Sequence, residues 1–123
     1  MVAKKSQPGS TAHRYIPDRG DIVWLSFDPH VGQEQGGRRP AVVVSSGYYN
    51  ERVGLVVVCP ITSRKKDYPF EVPIKGKKVE GVILADHIKS VDWHGRKVRY
   101  IERIGRDDMT TLQDAIAEVM FGA

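Results

Sequence analysis

The sequence predicts a mainly β (α+β) domain: a small, strongly curved β-barrel with one helix packed on it at the C-terminus. Six or seven short apolar runs, several rich in β-branched residues, are separated by frequent Gly and Pro turn signals. The one long segment with helical periodicity comes last in the chain. A length of 123 residues suits a single domain with one modest core and is too short for two.

The first half of the chain contains three of the predicted strands. Residues 22–27 are almost all apolar, which predicts a strand covered on both faces. A second strand is expected at about 40–45, and the polar segment 47–52 is expected to form a turn or short helix. Residues 53–61 are the most β-branched run in the chain and predict the third strand.

The second half of the chain predicts shorter strands and then the helix. A strand at 70–72 is expected to end at Pro73, because proline lacks an N–H for the sheet. Further strands are predicted at 81–84, 88–91 and 97–101. Apolar residues recur at helical spacing over 107–121, and Asp107 or Asp108 is expected to cap this helix.

Charge and cysteine content restrict the partners and the compartment. There are 19 Lys and Arg against 15 Asp and Glu, a net charge of +4, which suits a polyanion without requiring one. Cys59 is the single cysteine and lies in an apolar run, so we expect a buried structural thiol and a reducing compartment. No stretch has the length of a membrane span or signal-peptide core, which predicts a cytoplasmic protein with no membrane contact.

The N-terminal residues differ in composition from the rest. Residues 1–13 have almost no apolar content and include two lysines. We therefore predict a flexible basic arm at 1–13 and a folded domain at 14–123.

A polar, glycine-rich loop at 32–40 stands between two apolar strands and is the strongest candidate for a site. It carries one carboxylate, two amides and two guanidinium groups, and ends in Pro40. Rigid strands on both sides would position these groups. The alternative is a solvated hairpin loop, which is common for glycine-rich segments.

Several motifs resemble the MazF/PemK/Kid family of toxin endoribonucleases. They follow one another in the family's order at 20–23, 27–29, 32–40, 60–62, 68–72 and 82–86. The resemblance covers roughly 15–121 and implies an SH3-like barrel with a C-terminal helix, acting as a homodimer. It also implies metal-independent cleavage of single-stranded RNA, with a 2′,3′-cyclic phosphate and a 5′-hydroxyl as the new ends.

The resemblance also assigns residues. It implies that Arg39 and Thr62 are catalytic and that Glu34 matches an acidic position of the active loop. The 2′-hydroxyl of RNA is the nucleophile, so the protein must supply a base, a cation for the phosphorane oxygens and an acid. Arginine suits the cationic role because its planar fork grips phosphate. Glu34 is a candidate base, but the assignment of base and acid stays open, and a plain loop carboxylate is the alternative.

Other residues are candidates for RNA contact. His87 stands where many relatives have Gln, which predicts a different cleavage motif if that position contacts a base. Basic side chains follow Thr62 directly and suit backbone phosphates, and the active loop adds an amide and a histidine; the full set is Gln35, Arg64, Lys65, Lys66, His87 and His30. No histidine pair has metal-ligand spacing with a supporting carboxylate or thiol, so we predict no metal and no cofactor.

By resemblance, the expected partners are single-stranded RNA, a second copy of the chain and a cognate antitoxin with an acidic, disordered tail. Two alternatives stay open from the sequence. One is a non-enzymatic toxin of the same fold that binds gyrase, suggested by the Phe-Gly ending at 121–122. The other is a nucleic-acid-binding barrel without catalysis.

Overall fold

A computed structural model describes residues 15–29 and 31–122. The predicted arm at 1–13, residue 14 and His30 lie outside the described residues. The chain runs through seven strands and two helices: β1 (Asp21–Ser26), β2 (Arg38–Val43), α1 (Gly47–Val53), β3 (Leu55–Thr62), β4 (Glu71–Lys75), β5 (Glu80–Leu84), β6 (Lys89–Asp92), β7 (Arg99–Arg103) and α2 (Arg106–Phe121).

All the strands join one antiparallel sheet in the order β4-β5-β3-β2-β1-β7, and β6 adds to β3. Strand β3 organises this sheet. On one side it pairs with β2, and on the other its first half pairs with β6 and its last two residues, Ile61 and Thr62, pair with β5. The exchange of partners occurs between Val58, the last residue that pairs with β6, and Ile61, the first that pairs with β5, and it lets the sheet curl. The predicted mainly β barrel with a C-terminal helix is confirmed.

A side chain joins the two ends of the bent sheet. Glu102 on β7 accepts backbone N–H groups from Lys77, Lys78 and Val79, in the turn between β4 and β5, at 2.9–3.0 Å. Burial raises the pKa of Glu102, but these three donors and the charge of Lys78 outweigh it, so the pKa lies below its ordinary value. The ionised carboxylate therefore holds the barrel's edges together.

The core consists of two clusters on opposite faces of the sheet. Successive strand residues alternate between them, with Ile22 in one cluster and Val23 in the other. Leu112 brings α2 onto the first cluster, and Trp93 fills the second. The expectation that the first strand is covered on both faces holds except at Trp24, whose surface is 41% exposed.

Two local predictions are wrong. Pro73 does not end its strand but pairs with Val82 inside β4, and it is tolerated because β4 is an edge strand and needs no N–H on its outer side. Helix α2 has Gly105 as its N-cap, without a side-chain cap. Asp107 and Asp108 lie in the first turn instead, where their charge complements the helix dipole. Neither described helix is long and apolar enough to cross a membrane.

Candidate active site

The loop between β1 and β2, residues 28–37, is tied firmly at its base; we call it the active loop. Phe27 donates its N–H to the carbonyl of Gly37 at 2.8 Å, and Gly37 donates to Oδ1 of Asp28 at 2.8 Å. Gly37 has φ +78°, a conformation that favours glycine. From the turn after β6, Arg96 donates to the carbonyl of Asp28 at 2.6 Å. The loop is therefore positioned by two separate parts of the chain.

Arg39 and Thr62 lie at the same end of the β2–β3 pair. The ladder between these strands ends at Ala41 opposite Pro60, and both residues come two positions beyond it. Arg39 is half-buried, and its Nε donates to the carbonyl of Gly36 at 2.9 Å. This bond fixes the guanidinium plane against the active loop.

Thr62 is held by its pairing with Val82 on β5 and by the loop that follows it. Its side chain is 7% exposed, and its Oγ1 accepts the N–H of Arg64 at 3.2 Å. On β5 the neighbouring Gly81 approaches so closely that a Cβ there would lie 2.5 Å from the carbonyl oxygen of Thr62. Glycine at this position is what permits the β3–β5 contact.

Two cavities adjoin the active loop. The loop cavity, of about 350 Å³, includes Glu34, Pro60 and Lys89; the threonine cavity, of about 380 Å³, includes Thr62, Arg64 and Lys66. Four polar residues line both cavities: Gln33, Gln35, Asp86 and His87. The two cavities thus share part of their lining and form one continuous surface, with Lys89 in one cavity, Arg64 and Lys66 in the other, and the carboxylates Glu34, Glu71 and Asp86 among them.

The structure brings most of the predicted residues to this surface. Glu34 lines the loop cavity, and its Oε1 accepts the N–H of Val31 at 2.8 Å. Lys65 is directed away, within 3.6 Å of Asp67, and among the described residues the linings of the two cavities include neither Lys65 nor Arg39. Arg39 contacts the active loop through its hydrogen bond to Gly36, and His30 is outside the described residues.

Two acidic residues of the site were not predicted from the sequence. Asp86 accepts the hydroxyl of Tyr68 at 2.5 Å through Oδ2, and its Oδ1 lies 4.0 Å from Nε2 of His87. The hydrogen bond to Asp86 raises the pKa of Tyr68, so the hydroxyl stays a neutral donor. Glu71 lines the threonine cavity beside them. The available signal was that Tyr68 and Glu71 lie in the motif at 68–72 and Asp86 in the motif at 82–86, two of the motifs that carry the family resemblance.

Cys59 plays no part in this surface. The thiol is fully buried, and burial followed by the charge of Asp86 raises its pKa to about 12. The predicted structural role fits this environment. Within residues 15–29 and 31–122 no group of three or more His, Cys, Asp or Glu side chains could hold a metal ion.

Comparison with known proteins identifies the family. Residues 18–120 match the PemK-like, MazF-like toxins of type II toxin–antitoxin systems. The chain belongs to this family. It is 49% identical over 83 residues to the endoribonuclease toxin MazF of Escherichia coli K12, covering 68% of this chain and 75% of that relative. The endoribonuclease toxin ChpB of the same organism is 38% identical over 90 residues, covering 68% and 77%.

Solved structures of family members agree with the fold. MazF from Deinococcus radiodurans superposes with a TM-score of 0.84 at 44% identity, covering 87% of this chain and 98% of that one. A MazE–MazF complex from the same organism gives a TM-score of 0.77 at 40% identity, covering 89% and 100%. The resemblance deduced from the sequence motifs is therefore confirmed.

Proposed function

We infer that this MazF-like toxin is an endoribonuclease that cleaves single-stranded RNA, with mRNA as its cellular target. The observation that carries this inference is the continuous polar surface beside the active loop, with Arg64 and Lys66 at one end and Lys89 at the other. Such a groove suits a single-stranded, negatively charged backbone. The relatives that match over two thirds of the chain are themselves named endoribonuclease toxins.

We propose that cleavage proceeds by attack of the 2′-hydroxyl on the adjacent phosphorus, with loss of the 5′ oxygen of the next nucleotide. Arg39 stabilises charge on the phosphorane oxygens through its Nη donors, since its Nε is engaged with Gly36. The hydroxyl of Thr62 binds a phosphate oxygen or the attacking group. Both residues adjoin the end of the β2–β3 ladder, which gives them rigid support.

Glu34 is proposed to take part in proton transfer. Its carboxylate lines the loop cavity and also accepts the N–H of Val31. The same group could therefore transfer a proton, stabilise the loop conformation, or do both. Single-turnover cleavage by Glu34→Gln across pH separates the two tasks. Loss of one limb of the pH–rate profile indicates proton transfer, whereas a uniform decrease at all pH values indicates loop closure.

Substrate binding is proposed to use both cavities. Arg64 and Lys66 hold backbone phosphates, while Gln35 and His87 contact bases where the two cavities meet. Lys65 is left out of this proposal because its ammonium lies 3.6 Å from Asp67 and its side chain lines neither cavity.

The proposed partners follow the family. In Deinococcus radiodurans, MazF is found in complexes with MazE, and we propose that a cognate antitoxin binds this chain with an acidic, disordered tail. A tail of that kind would pair with Arg64, Lys66 and Lys89 in the same groove as RNA and so block it. We also propose a homodimer and a cytoplasmic site of action, where mRNA and a reduced Cys59 are both found.

The test is cleavage of a long mixed-sequence RNA in excess EDTA, with the new ends sequenced. Arg39→Ala is compared with Arg38→Ala, a matched control that removes the same charge from the adjacent, exposed residue. We expect cuts at a shared short motif with 2′,3′-cyclic phosphate ends, abolished in Arg39→Ala and retained in Arg38→Ala. Intact RNA from folded wild-type protein contradicts the proposal and favours a gyrase-binding toxin or a barrel without catalysis.

A further inference from the structure

The segment that follows Thr62, residues 63–70, is exposed and cationic but has a defined shape; we call it the cationic loop. Seven of its eight residues are exposed. At its start the hydroxyl of Thr62 accepts the N–H of Arg64 at 3.2 Å. In its second half the hydroxyl of Tyr68 donates to Asp86 at 2.5 Å. Between these two attachments the loop depends on Glu71.

The carboxylate of Glu71 holds the middle of the cationic loop through the backbone. Its Oε2 accepts the N–H of Lys66 at 2.9 Å, and its Oε1 accepts the N–H of Tyr68 at 3.3 Å. The backbone N–H of Glu71 also donates to the carbonyl of Tyr68 at 3.1 Å. Both carboxylate oxygens are thus engaged with the loop, and Glu71 itself is fixed as the first residue of β4.

The charge of Glu71 makes its position unexpected. The residue lines the threonine cavity together with Arg64 and Lys66, which is the part of the site that we propose holds phosphate. A carboxylate there repels phosphate and weakens the local positive potential. Its presence is explained if its role is to hold the backbone of the cationic loop in place and not to bind the ligand through its charge.

We propose that Glu71 is a positioning residue for RNA binding, acting through the backbone of the cationic loop and not through contact with RNA. This inference rests on the proposed function. Because the carboxylate fixes the N–H groups of Lys66 and Tyr68, it sets where the side chains of Arg64 and Lys66 stand relative to Thr62. Without it the loop samples many conformations, and binding phosphate must then order it.

The two possible roles of Glu71 predict effects of opposite sign. If the residue acts through its charge alone, Glu71→Gln removes a repulsive group and tightens RNA binding. If it positions the loop, the same substitution weakens binding, since an amide has one acceptor oxygen for two N–H donors and presents its own NH₂ to the other. Glu51→Gln is the matched control: Glu51 is exposed on α1, near the opposite end of β3 from Thr62.

The experiment compares wild type, Glu71→Gln, Glu71→Ala and Glu51→Gln in steady-state cleavage and in binding of an uncleavable 2′-O-methyl RNA that contains the cleaved motif. We expect Glu71→Gln to raise KM about five- to tenfold while kcat changes less than about threefold. We also expect the slope of log affinity against log salt concentration to become shallower by about 0.7 for each phosphate that the variant no longer binds. Glu51→Gln should leave KM and this slope unchanged, or should bind the RNA slightly more tightly because it removes one negative charge.

A KM for Glu71→Gln that is unchanged or lower than that of the wild type overturns the proposal. Amide hydrogen exchange of Lys66 and Tyr68 provides a readout that does not need cleavage, and these amides should lose protection in both Glu71 variants. Retained protection in Glu71→Gln also overturns it, and thermal unfolding identifies any variant that fails to fold. If the wild type cleaves no RNA, the proposed function fails, while the exchange result still decides whether Glu71 shapes the loop.

Discussion

Substitution of Gly81 by alanine tests how the β3–β5 contact positions Thr62. The new Cβ would stand 2.5 Å from the carbonyl oxygen of Thr62 and 3.1 Å from its carbonyl carbon. Ordinary contact begins at about 3.4 Å, so the two backbones must separate by about 0.9 Å to reach it. Forcing such a shift in a packed structure costs about 1–3 kcal/mol. The backbone of Gly81, at φ +156°, adds strain of similar size for a residue with a side chain.

One shift of the backbone relieves part of the steric contact and part of the backbone strain, so the two costs do not add in full. We therefore expect Gly81→Ala to lower the free energy of unfolding by about 2–4 kcal/mol. Thr62 moves with its carbonyl, so cleavage should fall at least about tenfold at temperatures where the variant is folded. Chemical denaturation and single-turnover cleavage measure the two effects. Gly105→Ala is the control for the steric cost, because nothing lies within 4 Å of a Cβ there; it should cost only about 0.5–1 kcal/mol, since alanine is a poorer N-cap than glycine. An unfolding free energy within about 0.5 kcal/mol of wild type, or unchanged cleavage, would refute this reasoning.

Three further predictions concern stability and reactivity. Glu102→Gln should destabilise the protein by about 1–2 kcal/mol at pH 7, a value reduced for solvent screening. Because folding lowers the pKa of Glu102, its contribution to stability is complete above its ordinary pKa and is lost as the pH falls through the lowered pKa. Chemical denaturation of wild type and Glu102→Gln between pH 7 and pH 3 should therefore show the difference in unfolding free energy decrease to zero. Cys59, with its pKa raised to about 12, should resist thiol reagents at pH 8 until denaturant is added, and rapid labelling of native protein would contradict its burial. Gly105→Ser should stabilise α2 by about 0.5–1 kcal/mol in thermal unfolding, because it supplies the missing side-chain cap and restricts the unfolded chain.

Most of the fold could be predicted from the sequence because apolar runs and turn residues mark strands directly. The errors occurred where a residue's effect depends on its neighbours. Pro73 was expected to end its strand because the sequence does not show that β4 lies at the edge of the sheet, where proline is tolerated. The cap of α2 was assigned to an aspartate because Asp is a common cap, whereas the chain enters the helix earlier, at Gly105. Neither the exchange of β3 partners nor the link through Glu102 has any local signature.

The candidate site could be predicted in part. Motif resemblance located Glu34, Gln35 and His87, and the basic run directly after Thr62 located Arg64. The fold places all four on the surface formed by the two cavities. The sequence could not show that Lys65, unlike its neighbours Arg64 and Lys66, lines neither cavity. In a loop, successive side chains do not alternate regularly between two faces as they do in a strand. Asp86 and Glu71 were missed for another reason: their partners are hydroxyl and backbone N–H groups, and such pairings are visible only in three dimensions.

The dispersal of the site along the chain has a consequence for synthesis of the toxin. The active loop is tied by Arg96, Thr62 is held by β5, and the cationic loop is attached to Asp86. Protein chains emerge from the ribosome N-terminus first, so a nascent chain carries Arg39 and Thr62 well before the residues that fix them. A translation product that stops short of residue 96 would carry Arg39 and Thr62 but lack the contact that ties the active loop. Formation of the site therefore requires translation beyond residue 96, more than two thirds of the way through the region 18–120 that matches the family.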